Sequence, residues 1–255
     1  MAVPELRPVS VTVDGTALSL LVRPDTMDDY VVREVVKTYR MADLVERYKS
    51  RPSVTIIDIG GHIGSFSVIM AALLPQAHVQ VFEPVAANFE VLQQNIRHAG
   101  LERAIHATNA GISGKRAFMA LDDIGMSPDS RNTGGHAVMG PNASDVPPAD
   151  GRAFVELRPF GELLDRQGRV DILKIDCEGA EFDILYSLTP EQLAKIDSMV
   201  GEIHSCVGFA GTTTAGRDWN ATTLKQYLGQ HYSTITTDHR LETESAVLET
   251  FYAKK

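Results

Sequence analysis

The sequence predicts an α/β fold on a mostly parallel sheet, closed by an antiparallel C-terminal hairpin and preceded by an N-terminal hairpin with helices. Three observations predict it. Apolar runs of strand length alternate with stretches of helical spacing through most of the chain. The first run breaks into a glycine turn, VTIIDIGGHIGSFS at 54–67, the layout of strand, tight turn and helix. Two strand-like runs, YSTITTD at 232–238 and AVLETFYA at 246–253, then follow one another with no helix between them.

In order along the chain, Val11 and Val13 alternate with polar residues, Asp14-Gly15 is a hairpin dipeptide, and Leu18, Leu20 and Val22 alternate again. Tyr30, Val31, Val35 and Val36 lie at helical spacing, and a second helix is expected from about Met41 to Tyr48. Residues 1–50 are therefore read as an extension, its strands scaffold and part of its helices a lid, before a main domain at 51–255. After the glycine turn, HVQVFEP (78–84) is a strand, 86–99 a helix stopped at Gly100, and Ala104–Thr108 a short strand. Residues 111–157 read as an insertion rich in glycine and proline. It is expected to form a hairpin, with strands near 115–121 and 152–157, over the mouth of a site. VDILKIDCEGAEFDIL (170–185) gives a buried strand and a helix, SMVGEIH (198–204) another strand, and Thr222–Leu228 a helix.

Composition bounds the function. A chain of 255 residues fits one large α/β domain as well as two small ones, with 44% hydrophobic and 22% charged residues as in globular proteins. A net charge of −9 without a basic patch argues against a nucleic-acid partner. No apolar run approaches a membrane span, and MAVPELRPVS has no apolar leader core, so a cytoplasmic protein is expected. Cys177 and Cys206 sit in apolar stretches and read as buried thiols of a reducing compartment. The pattern does not fix the oligomeric state and is compatible with a homo-oligomer.

Asp58, Glu83 and Asp176 each end an apolar strand, and ligands of open α/β sheets bind outside those ends. A carboxylate at Glu83, fixed at the strand end by Pro84, can accept two hydrogen bonds from ribose hydroxyls. The glycine spacing is Asp-x-Gly-x-x-x-Gly rather than the Gly-x-Gly-x-x-Gly that cradles a pyrophosphate. An acid before the glycines suits a cationic ligand, and S-adenosylmethionine carries a sulfonium and no phosphate.

DIGGHIGSFS, VFEPVAANFEVLQQNI, VDILKIDCEGAEFDIL and GEIH, in that order, resemble the FkbM-type methyltransferases, which use S-adenosylmethionine. The resemblance spans about residues 27–205. It implies a Rossmann-like seven-stranded methyltransferase sheet. It implies cofactor contacts from Gly60, Gly61, His62 and Gly64, ribose binding by Glu83, and Asn109 and Ala110 near the adenine. It also implies methylation of a hydroxyl on a small molecule, a sugar or natural-product scaffold.

An alcohol acceptor must be positioned and must lose a proton. Asp176, Glu178, Glu202 and His204 are the candidates for that step. Lys174, within an apolar strand, needs an acidic partner and is a candidate electrostatic residue. Oxygen ligands from Asp176 and Glu202 would suit Mg²⁺, although no compact ligand cluster is evident and a metal is not expected. Glu181 and Asp183 read as a solvated helix face. Phe209 and Trp219 read equally as an apolar wall for the acceptor or as surface anchors. Three alternatives compete with O-methylation: N-methylation of a small molecule or peptide, a nicotinamide-dependent oxidoreductase, and a non-catalytic cofactor-binding module. The oxidoreductase lacks its glycine pattern and a Tyr-x-x-x-Lys pair.

Overall fold

The computed structural model describes residues 5–120, 131, 133, 143–147, 149, 151, 153–206, 213, 215–242 and 246–255. Strands β1 (Arg7–Val13) and β2 (Thr16–Val22) form their own antiparallel sheet. Asp14 and Gly15, at φ 48° and 76°, make a turn whose twist matches the hairpin. Helices α1 (Asp28–Thr38) and α2 (Met41–Tyr48) follow. Their apolar faces, Val32 and Val35 on one and Leu44 and Tyr48 on the other, pack into the same core as β3 (Val54–Ile59) and α3 (Ser65–Leu73). The Tyr48 hydroxyl lies 2.8 Å from the Asp197 carboxylate and from the Asp171 carbonyl oxygen, pinning α2 under the main sheet.

The chain continues through β4 (Ala77–Phe82), α4 (Ala86–His98), β5 (Ile105–Thr108), β6 (Gly111–Ser113) and β7 (Ala117–Ala120). Then come β8 (Phe154–Pro159), α5 (Phe160–Arg166), β9 (Val170–Ile175), α6 (Glu181–Tyr186), α7 (Pro190–Ala194) and β10 (Ile196–Cys206). Helix α8 (Ala221–Leu228), β11 (Thr234–Glu242) and β12 (Ala246–Lys254) complete it. The seven-stranded sheet has the order β11-β12-β10-β9-β3-β4-β5. Strand β12 runs antiparallel to both β10 and β11, and the remaining pairs are parallel. This is the expected Rossmann-like α/β sheet.

Strands β3 and β9 are buried on both faces, which is why they read as continuous apolar runs. One face is covered by α3, α4 and the N-terminal elements, the other by α5, α6 and α8. From β3 the chain moves outward to β4 and later returns to place β9 on the opposite side. The ends of β3 and β9 therefore flank a topological switch point, where α/β folds open a crevice.

The inserted segment differs from the expected hairpin. Strands β7 and β8 do pair antiparallel, but β6 adds to β8 in parallel, giving a three-stranded sheet in the order β6-β8-β7. A three-residue strand is too short for alternation to reveal. Most of 121–142 lies outside the described residues, as do Phe209 and the side chain of Cys206. No helix among the described residues is long and apolar enough to cross a membrane.

Candidate active site

A cleft of about 220 Å³ opens at the C-terminal ends of β3, β4, β9 and β10, roofed by α1. Its floor is the glycine turn. Gly60 has φ 80°, and a Cβ there would collide with the Asp176 carbonyl oxygen at the end of β9. Gly64 has φ 87° at the start of α3, with the Leu92 side chain where a Cβ would be. The two strand ends are also bonded directly, Asp176 N–H to the Ile59 carbonyl at 3.2 Å.

Glu83 is buried at one side of this floor. Its carboxylate accepts from the His62 amide at 2.8 Å, the Val85 amide at 2.9 Å and Asn88 Nδ2 at 3.4 Å. Burial outweighs those donors and pushes the Glu83 carboxyl up to about 7. His62, at φ 48°, turns its imidazole away from Glu83 into a second polar group. There its Nε2 lies 2.8 Å from Thr133 Oγ1, which donates to Asp28 Oδ1 at 2.6 Å. Arg23 donates to Asp28 through Nε at 2.9 Å and to Asn88 Oδ1 at 2.8 Å. Burial drives the His62 pKa down to about 4, so the ring is neutral at ordinary pH. Burial acts against the Asp28 charge too, but Arg23, His62 and Thr133 together outweigh it and hold that carboxyl below its usual range.

The opposite side holds the predicted proton-handling residues. Asp176 Oδ2 accepts from the Tyr39 hydroxyl at 2.7 Å and lies 3.7 Å from Lys174 Nζ. Lys174 is buried, donates to the Gly60 carbonyl at 2.5 Å and pairs with Asp58 Oδ1 at 3.3 Å. Burial opposes its charge, but Asp58 and Asp176 hold the ammonium above the ordinary lysine value. His204 Nε2 faces Glu178 and Glu202, each at 3.6 Å, and Asp176 Oδ1 at 3.9 Å. Its Nδ1 lies 3.0 Å from Glu181 Oε1. Burial raises the carboxyls of Glu178, to about 7, and of Glu202. Burial also works against the His204 charge, but Glu181 and the other acids keep its pKa well above the usual histidine range.

Most of the predicted site residues come together. Gly60, His62, Glu83, Pro84, Ala110, Asp176, Glu178 and Glu202 line the cleft, with Cys177. Asp58, Gly61, Gly64, Asn109, Lys174 and His204 stand behind that lining. Asp58 is fully buried and accepts from Ser67 Oγ at 2.6 Å, so its partners are protein groups. Asn109 donates to the Glu83 carbonyl at 2.8 Å and shapes the backbone there.

Two expectations are corrected. Glu181 and Asp183 are not a solvated face: both are buried, because each carboxylate serves backbone amides. Glu181 accepts from Cys177 N–H at 2.8 Å and Gly179 N–H at 2.9 Å, and Asp183 accepts from Gly114 N–H at 2.9 Å. Cys177 is half-buried rather than a core thiol, and burial raises its pKa. Trp219 packs edge-on against Phe182, with ring centroids 5.7 Å apart. Sequence reasoning missed Arg23, Asp28, Tyr39, Asn88 and Thr133, which join the site from the extension, α4 and the insertion.

The sheet order, the glycine floor and the acid at the end of the second core strand define a Rossmann-like methyltransferase. Residues 58–209 match the Methyltransferase FkbM domain, and the chain belongs to that family. It is 27% identical over 196 residues to Methyltransferase 1 of Beauveria bassiana, covering 68% of this chain and 78% of that protein. It is 29% identical over 208 residues to the AMB antimetabolite synthetase AmbE of Pseudomonas aeruginosa, covering 71% of this chain and 9% of that one. Methyltransferase sdnD of Sordaria araneosa is 26% identical over 170 residues, 58% of this chain and 65% of its own. Among solved structures, the precorrin-6y C5,15-methyltransferase of Geobacter metallireducens is similar at a TM-score of 0.44 and 12% identity, covering 84% of this chain and 87% of that one.

Proposed function

We propose that the chain is an S-adenosylmethionine-dependent O-methyltransferase acting on a hydroxyl of a small molecule. One observation carries the reading. Among the described residues, the cleft over the glycine floor is lined by Glu34, Glu83, Asp176, Glu178 and Glu202 and by no lysine or arginine. Such a wall favours a ligand bearing a sulfonium and an ammonium and disfavours a pyrophosphate. Glu83 suits the ribose: three of its roughly four lone-pair directions take amide donors, leaving one for a hydroxyl.

Bound there, S-adenosylmethionine supplies an electrophilic methyl group. The protein's own part is to hold donor and acceptor in line and to receive the acceptor's proton. The carboxylates of Glu178 and Glu202 face the cleft, and burial raises both toward the range in which a base works near neutral pH. Asp176 is held by Tyr39 and Lys174 and positions the group. This constellation favours oxygen over nitrogen, because a hydroxyl must be relieved of its proton whereas a neutral amine attacks without prior loss. The resemblance to an antimetabolite synthetase supports a small natural-product scaffold as acceptor.

Calorimetric titration with S-adenosylmethionine, S-adenosylhomocysteine and NADH tests the reading. Micromolar binding of the first two and none of NADH is expected. A screen of sugars and polyhydroxylated scaffolds then reads a 14-dalton mass gain, roughly one methylene. Binding of NADH alone overturns the proposal.

A further inference from the structure

A groove of about 610 Å³ runs between α1 and the paired strands β11 and β12. Its volume suits a small molecule. Met27, Val31, Val35 and Tyr39, at four-residue steps along α1 and its two ends, line the cleft, whereas Arg33, Lys37 and Arg40 line the groove. Tyr30 and Glu34 line both, so α1 is the wall between the two spaces and they meet beside it. We propose that this groove is the acceptor site and that it takes a hydroxylated molecule carrying a carboxylate or phosphate, with the anion at Lys37 and the reacting hydroxyl at Glu202.

The groove adjoins the proton acceptor through the sheet. Thr250 of β12 lines the groove and stands directly opposite Glu202 of β10, which lines the cleft. Side chains of directly opposed residues share one face of a sheet, with Cβ atoms about 5 Å apart. The pairing of β11 breaks at the same level. Thr237 pairs with Phe251 and His239 with Thr250, so Asp238 is an extra residue between them. Such a bulge re-aims a side chain, and bulges are common beside active sites. Here Asp238 reaches the groove and binds Arg40 through both of its carboxylate oxygens.

Two further observations point to a ligand and to its charge. Thr250 is 2% exposed, and its hydroxyl has no hydrogen-bond partner among the described residues. A buried polar group left unpaired is costly, and a ligand hydroxyl seated in the groove supplies the partner. Lys37 is exposed and, among the described residues, pairs with no acid. Its neighbours differ: Arg40 is held by Asp238, and Arg33 by Asp29 at 2.8 Å. The Lys37 ammonium is thus available to an anion, which finds no lysine or arginine among the described residues lining the cleft. Lys37 stands one turn, about 5 Å along the axis, from Glu34, so an anion there leaves a hydroxyl roughly one sugar ring away at the cleft. The acceptor oxygen bonds to the methyl carbon as that carbon's bond to sulfur breaks, and Glu202 takes the hydroxyl proton. The inference rests on the proposed methyl transfer for the fate of that hydroxyl, not for the binding of the anion.

Calorimetry of the full chain, with and without S-adenosylhomocysteine, tests it with probes that differ only in charge. The pairs are glucuronate and glucuronamide, 3-hydroxybenzoate and 3-hydroxybenzamide, and glucose 6-phosphate and glucose. In at least one pair the anion should bind about tenfold more tightly or better, and whether that pair is a carboxylate or the phosphate identifies the group. Lys37→Gln should erase the gap. Thr250→Val should weaken both members of the pair by about three- to tenfold and leave the gap in place. No binding at millimolar probe, no gap in any pair, or a gap that persists in Lys37→Gln overturns the acceptor site. Should Thr250→Val fail to fold, the surface variant Lys37→Gln carries the test. S-adenosylhomocysteine binding without a charge gap defeats the groove alone. A gap that Lys37→Gln erases, without S-adenosylhomocysteine binding, supports the anion site and defeats the methyltransferase reading.

Discussion

The backbone amide of His62 donates to Glu83 Oε2 at 2.8 Å, so the glycine turn and the end of β4 share one carboxylate. Glu83 thereby shapes the turn and faces the cleft at once. Its ionisation state should be felt by any ligand that donates to it.

S-Adenosylhomocysteine affinity should therefore rise between pH 6 and 8. Burial holds the Glu83 carboxyl at about 7, and hydroxyl donors prefer the ionised form. Glu83→Gln should bind about 1–3 kcal/mol more weakly and lose the pH dependence. Calorimetry at a series of pH values checks this, and parallel curves for the two proteins would remove Glu83 from the ribose site.

Gly60→Ala should destabilise the fold by more than about 4 kcal/mol, since it adds a backbone collision to an unfavourable φ of 80°. Gly15→Ala is the control. Gly15 has φ 76° but open space around it, so the conformational cost of about 1–2 kcal/mol stands alone. Urea denaturation of both variants separates the two effects. Equal losses would mean that the contact with the Asp176 carbonyl is readily relaxed.

Asp28→Ala should cost about 3–5 kcal/mol, because it strands Arg23 in a site where that side chain is 11% exposed. Thr133 and His62 lose a neighbour at the same stroke. Guanidinium unfolding measures it. A loss under about 1 kcal/mol would show that Asn88 alone satisfies the arginine.

His62 makes the protein sensitive to acid. Its folded pKa, about 4, lies below the ordinary 6.5, so the unfolded chain takes up a proton first as the pH falls. Its contribution is present above 6.5 and is lost between 6.5 and 4, up to roughly 3 kcal/mol. Glu83 works oppositely, because its raised pKa makes stability fall as the pH rises from 4.5 to 7. The comparison is therefore between wild type and His62→Asn at each pH, asparagine also tolerating φ 48°. The difference between them should narrow toward pH 4. A constant difference in melting temperature would show that the imidazole does not titrate there.

The sheet was legible because its central strands are buried on both sides and therefore spell continuous apolar runs, as in VDILKI at β9. Glu83 and Asp176 were legible because each terminates such a run. Lys174 was recognisable as a group in need of an acid, and its partners are Asp58 and Asp176. Arg23, Asp28 and Thr133 were not legible, because nothing local marks them: they matter through contacts made far along the chain. Glu181 was misread because its spacing on α6 fits a wet face equally well, and only its pull on two loop amides explains its burial. Helix α7 did carry a signal, Thr189-Pro190-Glu191-Gln192, whose reciprocal Thr189–Gln192 hydrogen bonds form a capping box.

The position of β3 between β4 and β9 also has a consequence for biosynthesis. Ile56 pairs with Val79 soon after both leave the ribosome, but its other neighbour, Ile172, is made only after the whole inserted segment. Through that interval the nascent chain carries an open, apolar strand edge beside a glycine turn that lacks its Asp176 contact. Such an edge is a template for wrong pairing, and contacts of this sequence separation slow folding. The enzyme's most aggregation-prone moment should fall during its own translation, and chaperone demand should track the time needed to synthesise the insertion rather than the stability of the finished protein.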